Sequence, residues 1–182
     1  LSHASLTYSP DERFAYVFGR DGGLTKVDIL ERKVVNRVMQ AGNSIGGAIS
    51  DDGRLIAVSN YEPGGVRVFD ADTLEMIADI PTGAKTIGLV EAPGRRFIFT
   101  MWETGETWIA DLSGKEPQVT KFTGIGKNPF DAVLTPDGRT YLIGLFGEKG
   151  LVSIDLWSPE PKPVRFMENY GKGQEDLPVY KM

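Results

Sequence analysis

The feature of this sequence that most restricts its fold is a short polar turn that recurs four times. The turns contain proline, aspartate or glycine and follow one another at intervals of about 42 residues. A second marker, an aspartate that ends a short apolar segment, recurs with the same spacing. The turns are Ser9-Pro10-Asp11, Ser50-Asp51-Asp52-Gly53, Ala92-Pro93-Gly94 and Thr135-Pro136-Asp137-Gly138, and the aspartates are Asp28, Asp70, Asp111 and Asp155. Repeats of about 40–45 residues are typical of the blades of β-propellers.

The first thirty residues display the layout of one repeat. Short apolar runs separated by polar turns predict strands at Ala4–Tyr8, Phe14–Phe18 and Leu24–Ile29. A further turn and a fourth strand follow each marker aspartate. These fourth strands are Val34–Met39, Met76–Ile80, Gln118–Phe122 and Pro163–Met167. The sequence therefore predicts an all-β propeller of about four blades, each made of four antiparallel strands.

The repeat also suggests how the chain is divided. The blades are predicted at approximately 1–41, 42–83, 84–126 and 127–169, with 170–182 as a connection towards a further blade. Because each blade is apolar on both faces, an open array of four would leave two apolar flanks. We therefore expect half of an eight-bladed ring, completed either by residues beyond Met182 or by a second copy in a homodimer. The polar segment Asn169–Tyr180 is either a lid or a solvated linker.

Composition argues against several classes of function. The net charge is −5 and no basic stripe is visible, so nucleic acid is not an expected partner. The absence of cysteine rules out disulfides, thiolate metal sites, cysteine nucleophiles and haem c attachment. A Ser-His-Asp triad cannot be argued from one histidine without a nucleophile elbow. Because the chain begins at a strand, we expect that a segment before it has been removed.

Strand order predicts which residues share one end of the propeller. In an up-and-down blade, the start of the first strand and the loop between the second and third strands lie at the same end. The repeat places chemically distinctive residues there and ordinary turn residues at the other end. Functional sites commonly lie on loops that a rigid scaffold holds in place, so we predict the site at this end. The candidates are His3, Arg20, Asn43, Tyr61, Lys85, Trp102, Glu103 and Phe146.

Each candidate also has an ordinary structural interpretation. His3, the only histidine, could ligate a metal or haem iron, could act as an acid or base, or could be a simple surface residue. Arg20 could hold a carboxylate of a ligand, or it could pair with Asp21 or with an acid of a neighbouring blade. Tyr61 and Trp102 could stack on a flat ligand, or they could fill a turn and pack between blades.

Two other patterns are assigned structural roles. Gly42–Gly47 is rich in glycine but lacks the lysine and the following helix of a phosphate loop. Its glycines are instead expected to let the inner strands approach the propeller axis. The four marker aspartates recur once per blade at the end opposite the candidates, so we interpret them as turn and capping residues.

Four stretches of the sequence together resemble a known family. The chain from Leu1 to Met182 resembles the haem d1-binding propeller of the cytochrome-cd-type nitrite reductases. It is more similar still to the NirF branch, whose members are needed to make haem d1. The chain would then cover roughly the first half of an eight-bladed ring. The stretches are His3-Ala4-Ser5, Phe18-Gly19-Arg20-Asp21-Gly22, Asn60-Tyr61-Glu62-Pro63 and Phe69-Asp70-Ala71-Asp72-Thr73-Leu74-Glu75.

The resemblance implies a periplasmic protein, lipid-anchored in some members, that binds haem d1 or a precursor at the mouth of the channel. His3 matches the residue that ligates iron in the reductase, and Arg20 matches an arginine that holds tetrapyrrole carboxylates. Tyr61 matches a tyrosine of the corresponding loop. Asn43 stands where the reductase has another arginine. The partners implied are the tetrapyrrole, other haem d1 maturation proteins and nitrite reductase.

The chain also departs from the reductase at the distal side of the cofactor. Met101-Trp102 stands where the reductase has a His-Tyr pair, so a proton donor for nitrite chemistry is missing. The resemblance therefore does not imply nitrite reduction. Three hypotheses stay open: an enzyme that modifies the macrocycle, with His3 as its catalytic residue; a carrier that delivers the cofactor to the reductase; and a propeller scaffold for protein contacts.

Overall fold

The computed structural model describes residues 4–169, which form sixteen β-strands and contain no helix. The strands form four antiparallel sheets, and each sheet contains four strands in sequence order. Blade 1 contains β1 (Ala4–Tyr8), β2 (Phe14–Gly19), β3 (Gly23–Asp28) and β4 (Lys33–Met39). Blade 2 contains β5 (Asn43–Ile49), β6 (Leu55–Glu62), β7 (Val66–Asp70) and β8 (Met76–Ile80).

The second half of the described chain repeats this layout. Blade 3 contains β9 (Thr86–Ala92), β10 (Arg96–Met101), β11 (Glu106–Asp111) and β12 (Gln118–Phe122). Blade 4 contains β13 (Pro129–Leu134), β14 (Thr140–Leu145), β15 (Leu151–Asp155) and β16 (Pro163–Phe166). The predicted all-β architecture of four-stranded antiparallel blades is confirmed, whereas the division into domains stays a prediction. The structure has no helix among the described residues that is long and apolar enough to cross a membrane.

The first strands of the blades lie side by side around one axis. β1 contacts β5, β5 contacts β9, and β9 contacts β13, whereas the fourth strands make no such contacts with one another. The sheets therefore radiate outward from their first strands, as the blades of a propeller do. The channel of this array is lined by β1, β5, β9 and β13.

The core consists of apolar layers between neighbouring blades. Tyr16 and Phe18 of blade 1 pack with Ile56 of blade 2, and comparable clusters join blade 2 to blade 3 and blade 3 to blade 4. A Cβ at Gly47 would overlap the ring of Phe18, so this position requires glycine. The sequence interpretation expected these glycines to allow approach to the axis. At Gly47 the group that approaches belongs instead to the neighbouring blade.

The marker aspartates cap turns, as predicted. Asp70 Oδ1 accepts hydrogen bonds from the amides of Asp72 and Thr73, both at 2.8 Å, and Asp28 Oδ1 accepts one from Glu31 N at 2.8 Å. Asp111 and Asp155 make equivalent contacts in blades 3 and 4. All four carboxyls have a pKa below the usual value of 3.8, because hydrogen bonds favour the charged form. The backbone amides contribute most for Asp28 and Asp70, whereas the Ser113 hydroxyl contributes most for Asp111 and the Arg139 guanidinium for Asp155.

A buried lysine fastens blade 1 to blade 2. The Lys26 side chain is only 3% exposed, and its ammonium donates to Asp72 Oδ1 at 2.9 Å and to Asp72 O at 3.2 Å. The Nζ atom also lies 4.4 Å from the centroid of the Phe14 ring. An ammonium can be removed from water only when partners of this kind replace its hydration.

The two outer faces of the array are apolar and uncovered in the described residues. On the face of blade 1 directed away from blade 2, Leu6, Tyr8, Val34 and Met39 are all more than half exposed. On the outer face of blade 4, Val133 and Val164 are exposed to a similar degree. These are the two apolar flanks that an open array was expected to leave.

The Lys26 contact leads to a prediction about stability. We expect Asp72→Ala to lower the free energy of unfolding by about 0.5–1.5 kcal/mol, because the buried ammonium loses its carboxylate but the 93% exposed position of Asp72 lets water replace part of the contact. Lys26→Met removes the charge together with its need for a partner and should cost less. Urea denaturation of the full-length protein measures both. A Lys26→Met variant that is less stable than Asp72→Ala would contradict this interpretation.

The capping aspartates lead to a prediction about pH. A carboxyl whose folded pKa lies below its unfolded value stabilises the fold above the unfolded pKa, and this contribution is lost as the pH falls through the folded pKa. The free energy of unfolding should therefore decrease as the pH is lowered from about 5 towards 2. Asp70→Asn keeps an acceptor oxygen but cannot titrate, so it should reduce the slope of this acid limb. An unchanged slope in urea titrations across this range would count against the assignment.

Candidate functional site

The described candidates lie at one end of the propeller. Ala4 at the start of β1 pairs with Gly19 at the end of β2, so the start of the first strand and the second-to-third loop share an end. In each of the other blades too, the start of the first strand pairs with the end of the second strand. Arg20 follows β2, Asn43 begins β5, Lys85 precedes β9 and Trp102 follows β10. His3 lies outside the described residues, as does the predicted lid or linker from Tyr170 onward.

Tyr61 is held in a strand and not in a loop, which corrects the sequence interpretation. β6 continues to Glu62 because Asn43 of β5 pairs with that residue and extends the ladder. The turn begins only after Glu62. Tyr61 therefore stands on a fixed backbone, and its ring is positioned by the sheet.

A chain of contacts connects blade 1 to Tyr61. The Ser44 hydroxyl donates a hydrogen bond to the carbonyl of Gly19, which directly precedes Arg20. Asn43, next to Ser44, pairs across the ladder with Glu62, next to Tyr61. The Asn43 Oδ1 atom is buried and has no hydrogen-bond partner among residues 4–169. A buried polar atom without a partner is costly, so this oxygen is suited to accept a hydrogen bond from a group outside residues 4–169.

The contacts continue from Tyr61 to Trp102. Lys85 Nζ lies 4.7 Å from the centroid of the Tyr61 ring and 3.4 Å from Glu103 Oε1. Glu103 Oε2 accepts a hydrogen bond from Lys85 N at 2.8 Å, and Lys85 O accepts one from Trp102 N at 2.9 Å. Tyr61, and after it Glu103, raises the pKa of Lys85 above its usual value. The charge of Lys85 is therefore already balanced within the protein.

Arg20 differs from Lys85 because its charge is not balanced by a neighbouring acid. Its sequence neighbour Asp21 binds Arg37 at 2.7 Å and accepts a hydrogen bond from Gly23 N at 3.0 Å. Within the described part of the chain, the exposed Arg20 guanidinium makes neither an ion pair nor a hydrogen bond. The alternative in which Arg20 pairs with Asp21 is therefore wrong, and the guanidinium is available to an external carboxylate.

Three aromatic rings form an exposed surface beside this row of residues. Trp102, Phe130 and Phe146, here called the aromatic shelf, have ring centroids 5.3–6.3 Å apart. Phe146 is 53% exposed and Phe130 is 36% exposed. Asn128 Nδ2 donates to Trp102 O at 3.1 Å and joins blade 4 to the row. The ring planes are inclined to one another by 48–81°, so a flat conjugated molecule can stack on one ring and contact the edges of the others.

Sequence reasoning missed Phe130 and Lys127 of blade 4. Phe130 lies inside the innermost strand β13, where an aromatic residue is normally read as core, and Lys127 lies two residues before that strand. The repeat itself was the signal that could have identified these two residues. The innermost strands begin at equivalent positions, and an aromatic at the start of one of them stands next to the channel.

A larger groove lies elsewhere among the described residues. It has a volume of about 540 Å³, lies between blades 1 and 2 at the opposite end, and is lined in part by Phe14, Tyr16, Lys26 and Asp72. Lys26 and Asp72 pair with each other, and the Tyr16 hydroxyl donates to Ala71 O at 2.7 Å. Because these polar groups already satisfy one another, we do not assign the functional site to this groove. No cluster of three metal-binding side chains occurs in residues 4–169.

The whole of residues 1–182 matches the family described as the cytochrome D1 heme domain. The chain belongs to this family. It is 59% identical to Protein NirF of Stutzerimonas stutzeri and 58% identical to Protein NirF of Pseudomonas aeruginosa, each over 191 aligned residues. Both alignments cover 100% of this chain and 49% of the relative, so the chain spans about half the length of these curated relatives.

A solved structure agrees with this assignment. The dihydro-heme d1 dehydrogenase NirN, in complex with DHE, superposes with a TM-score of 0.78 at 28% sequence identity. The match covers 91% of this chain and 37% of the NirN chain. The resemblance that the sequence stretches indicated is confirmed, and the family's propeller fold agrees with the four blades described above.

The contacts of Lys85 lead to a prediction about its titration. We expect Tyr61→Phe and Glu103→Gln each to lower the pKa of Lys85, with the larger decrease for Tyr61→Phe because that contact contributes most to the upward shift. The Cε chemical shift of Lys85, followed by NMR as the pH is raised, measures this pKa. If neither substitution moves the titration, the contacts do not balance the charge of Lys85.

Proposed function

We propose that this chain forms part of a binding site for haem d1 or a precursor tetrapyrrole, and that the protein takes part in haem d1 biosynthesis. The observation that carries the proposal is the aromatic shelf at the same end as an Arg20 guanidinium without a partner in the described residues. Membership of the cytochrome D1 heme domain family supports it, as does the NirN structure with DHE.

The residues of this end fit the chemistry of such a ligand. A tetrapyrrole has a flat conjugated face that can stack on one of the rings Trp102 and Phe146 and contact the other, which is inclined by 48°. It also carries carboxylates that a guanidinium can hold in two parallel hydrogen bonds, which is the role proposed for Arg20. Asn43 and Tyr61 would add polar contacts from a rigid strand end. The charge of Lys85 is already balanced by its contacts with Glu103 and Tyr61. We therefore expect Lys85 to position the Tyr61 ring and not to bind a carboxylate of the ligand.

His3 is proposed as the ligand of the iron. It is the only histidine of the chain, and its direct neighbour Ala4 begins β1 at the end that carries the other candidates. A neutral imidazole is the usual protein ligand for haem iron. Bound haem d1 would supply an iron centre there, while the residues of this chain would orient the macrocycle and hold its carboxylates.

The two apolar flanks bear on how the site is completed. We propose that further blades cover the flank residues of blades 1 and 4 and close a ring, since the chain spans about half of its NirF relatives. A second copy of the chain is the alternative occupant. Size-exclusion chromatography with light scattering separates them, because only the second copy makes the closed ring a dimer of this chain.

The same site supports a second candidate function, a carrier that binds the cofactor and delivers it to nitrite reductase. The observation that favours it is the composition of the site, where rings, an amide and a guanidinium predominate over groups that transfer protons. Mass spectrometry of the recovered ligand distinguishes the two. An unchanged ligand mass after incubation favours the carrier, and a changed mass favours an enzyme of haem d1 maturation.

We also propose that the protein acts in the periplasm, where its partners would be the other haem d1 maturation proteins and nitrite reductase. The family resemblance is the support for this location. Fractionation of cells that express the full-length protein tests the location directly, and recovery in the cytoplasm would contradict it.

Titration of the full-length protein with haem d1 tests the binding proposal. We expect a change in the visible spectrum on binding and a loss of about tenfold or more in affinity for Arg20→Gln, because a charge-assisted contact is removed. Arg54→Gln is the matched control, since Arg54 is an exposed arginine at the opposite end. Equal affinities for Arg20→Gln and Arg54→Gln would show that Arg20 does not bind the ligand.

His3→Ala tests the ligand role separately. We expect the spectrum of the bound complex to change, because a different group, or none, occupies that iron position. An unaltered spectrum and affinity would show that His3 does not bind the iron. If haem d1 does not bind to the wild-type protein at all, the scaffold hypothesis replaces both binding proposals.

A further inference from the structure

The loop before β13 presents a lysine beside the aromatic shelf. Phe146 N donates to Asn128 O at 2.9 Å, and Gly147 N donates to Lys127 O at 3.0 Å. A Cβ at Gly147 would overlap Lys127 Cγ and Asn128 Oδ1, so the methylene stem of Lys127 lies against this glycine. Lys127 is therefore adjacent to Phe146, one of the three rings of the shelf.

The ammonium of Lys127 forms no ion pair among the described residues, although its charge contributes weakly to the lowered pKa of Glu148. Glu148 Oε1 accepts a hydrogen bond from the backbone amide of Lys127 at 2.6 Å and lies 2.5 Å from Arg165 Nη2. The Arg165 guanidinium and this amide hold the pKa of Glu148 below its usual value. The Lys127 side chain is exposed and forms no ion pair in residues 4–169. In this it differs from Lys85, which Glu103 neutralises.

The backbone of this loop is fixed in an uncommon conformation. Asn128 has a φ of 51°, in the left-handed region that residues other than glycine seldom adopt. Its side chain donates to Trp102 O, which ties the loop to the shelf. Asparagine adopts this region more readily than most other residues, so the side chain that bonds to Trp102 and the backbone of the loop are compatible. The loop fixes the lysine relative to the rings before any ligand arrives.

We propose that Lys127 binds a carboxylate at the edge of a planar conjugated ligand whose face rests on the aromatic shelf. The inference rests on the proposed function and adds selectivity to it. The shelf accepts flat macrocycles, and Lys127 favours those that carry a free acid on that side. Arg20 lies in blade 1 and Lys127 at the start of blade 4, so the two cations would hold acids on different edges of one ligand.

A pair of probes that differ only in charge tests this proposal. The full-length protein is titrated with iron mesoporphyrin and with its dimethyl ester, which has the same ring but no carboxylates. We expect the free acid to bind more tightly than the ester. In Lys127→Met the affinity for the acid should fall about three- to tenfold while the affinity for the ester is unchanged. Lys115→Met is the matched control, an exposed lysine in the turn between β11 and β12 at the opposite end.

A second variant separates stacking from charge. Phe146→Ala should weaken both probes by a similar factor, because it removes part of the shelf and no charge. If Lys127→Met retains the full preference for the acid, Lys127 is not the carboxylate contact, although the proposed function stands. If neither probe binds the wild-type protein, this inference fails, whereas the proposed function fails only if haem d1 does not bind either.

Discussion

The packing of each sheet on its neighbour is the interaction on which the rest of the structure depends. Four short strands expose apolar side chains on both faces, and the sheet is stable only when other sheets cover those faces. The Phe18 ring, for example, packs against the neighbouring blade at Gly47, where a Cβ atom would overlap it. Because all four sheets pack in this way, the innermost strands are parallel to one axis and their starting residues meet at one end.

This constraint explains why most of the fold could be predicted from the sequence. Each blade carries its own polar turn and its own capping aspartate, so the repeat can be recognised from short stretches of the sequence. The boundaries were less certain because strand ends depend on pairing across the ladder. The predicted strand Leu24–Ile29 is observed at Gly23–Asp28, since Asp28 already caps the following turn. Tyr61 belongs to β6 because Asn43 extends the pairing.

Less of the candidate site could be predicted, because side-chain partners depend on register and on neighbouring blades. The sequence places Asp21 next to Arg20, yet the sheet brings Arg37 of β4 to Asp21 and leaves Arg20 without a partner among the described residues. Lys85 was a candidate cation, but the loop of blade 3 supplies Glu103 to neutralise it. Phe130 and Lys127 were missed because their contacts with Trp102 and Gly147 join different strands and loops, which no local pattern reveals.

We propose that a flat acidic macrocycle binds at one end of the blade array, where the aromatic shelf lies and where the Arg20 guanidinium has no partner among the described residues. A crystal structure of the full-length protein with bound haem d1 tests this most directly. We predict that one face of the macrocycle contacts Trp102 and Phe146 and that a carboxylate lies within hydrogen-bond distance of Arg20. A macrocycle bound in the groove beside Lys26 at the opposite end would contradict the account.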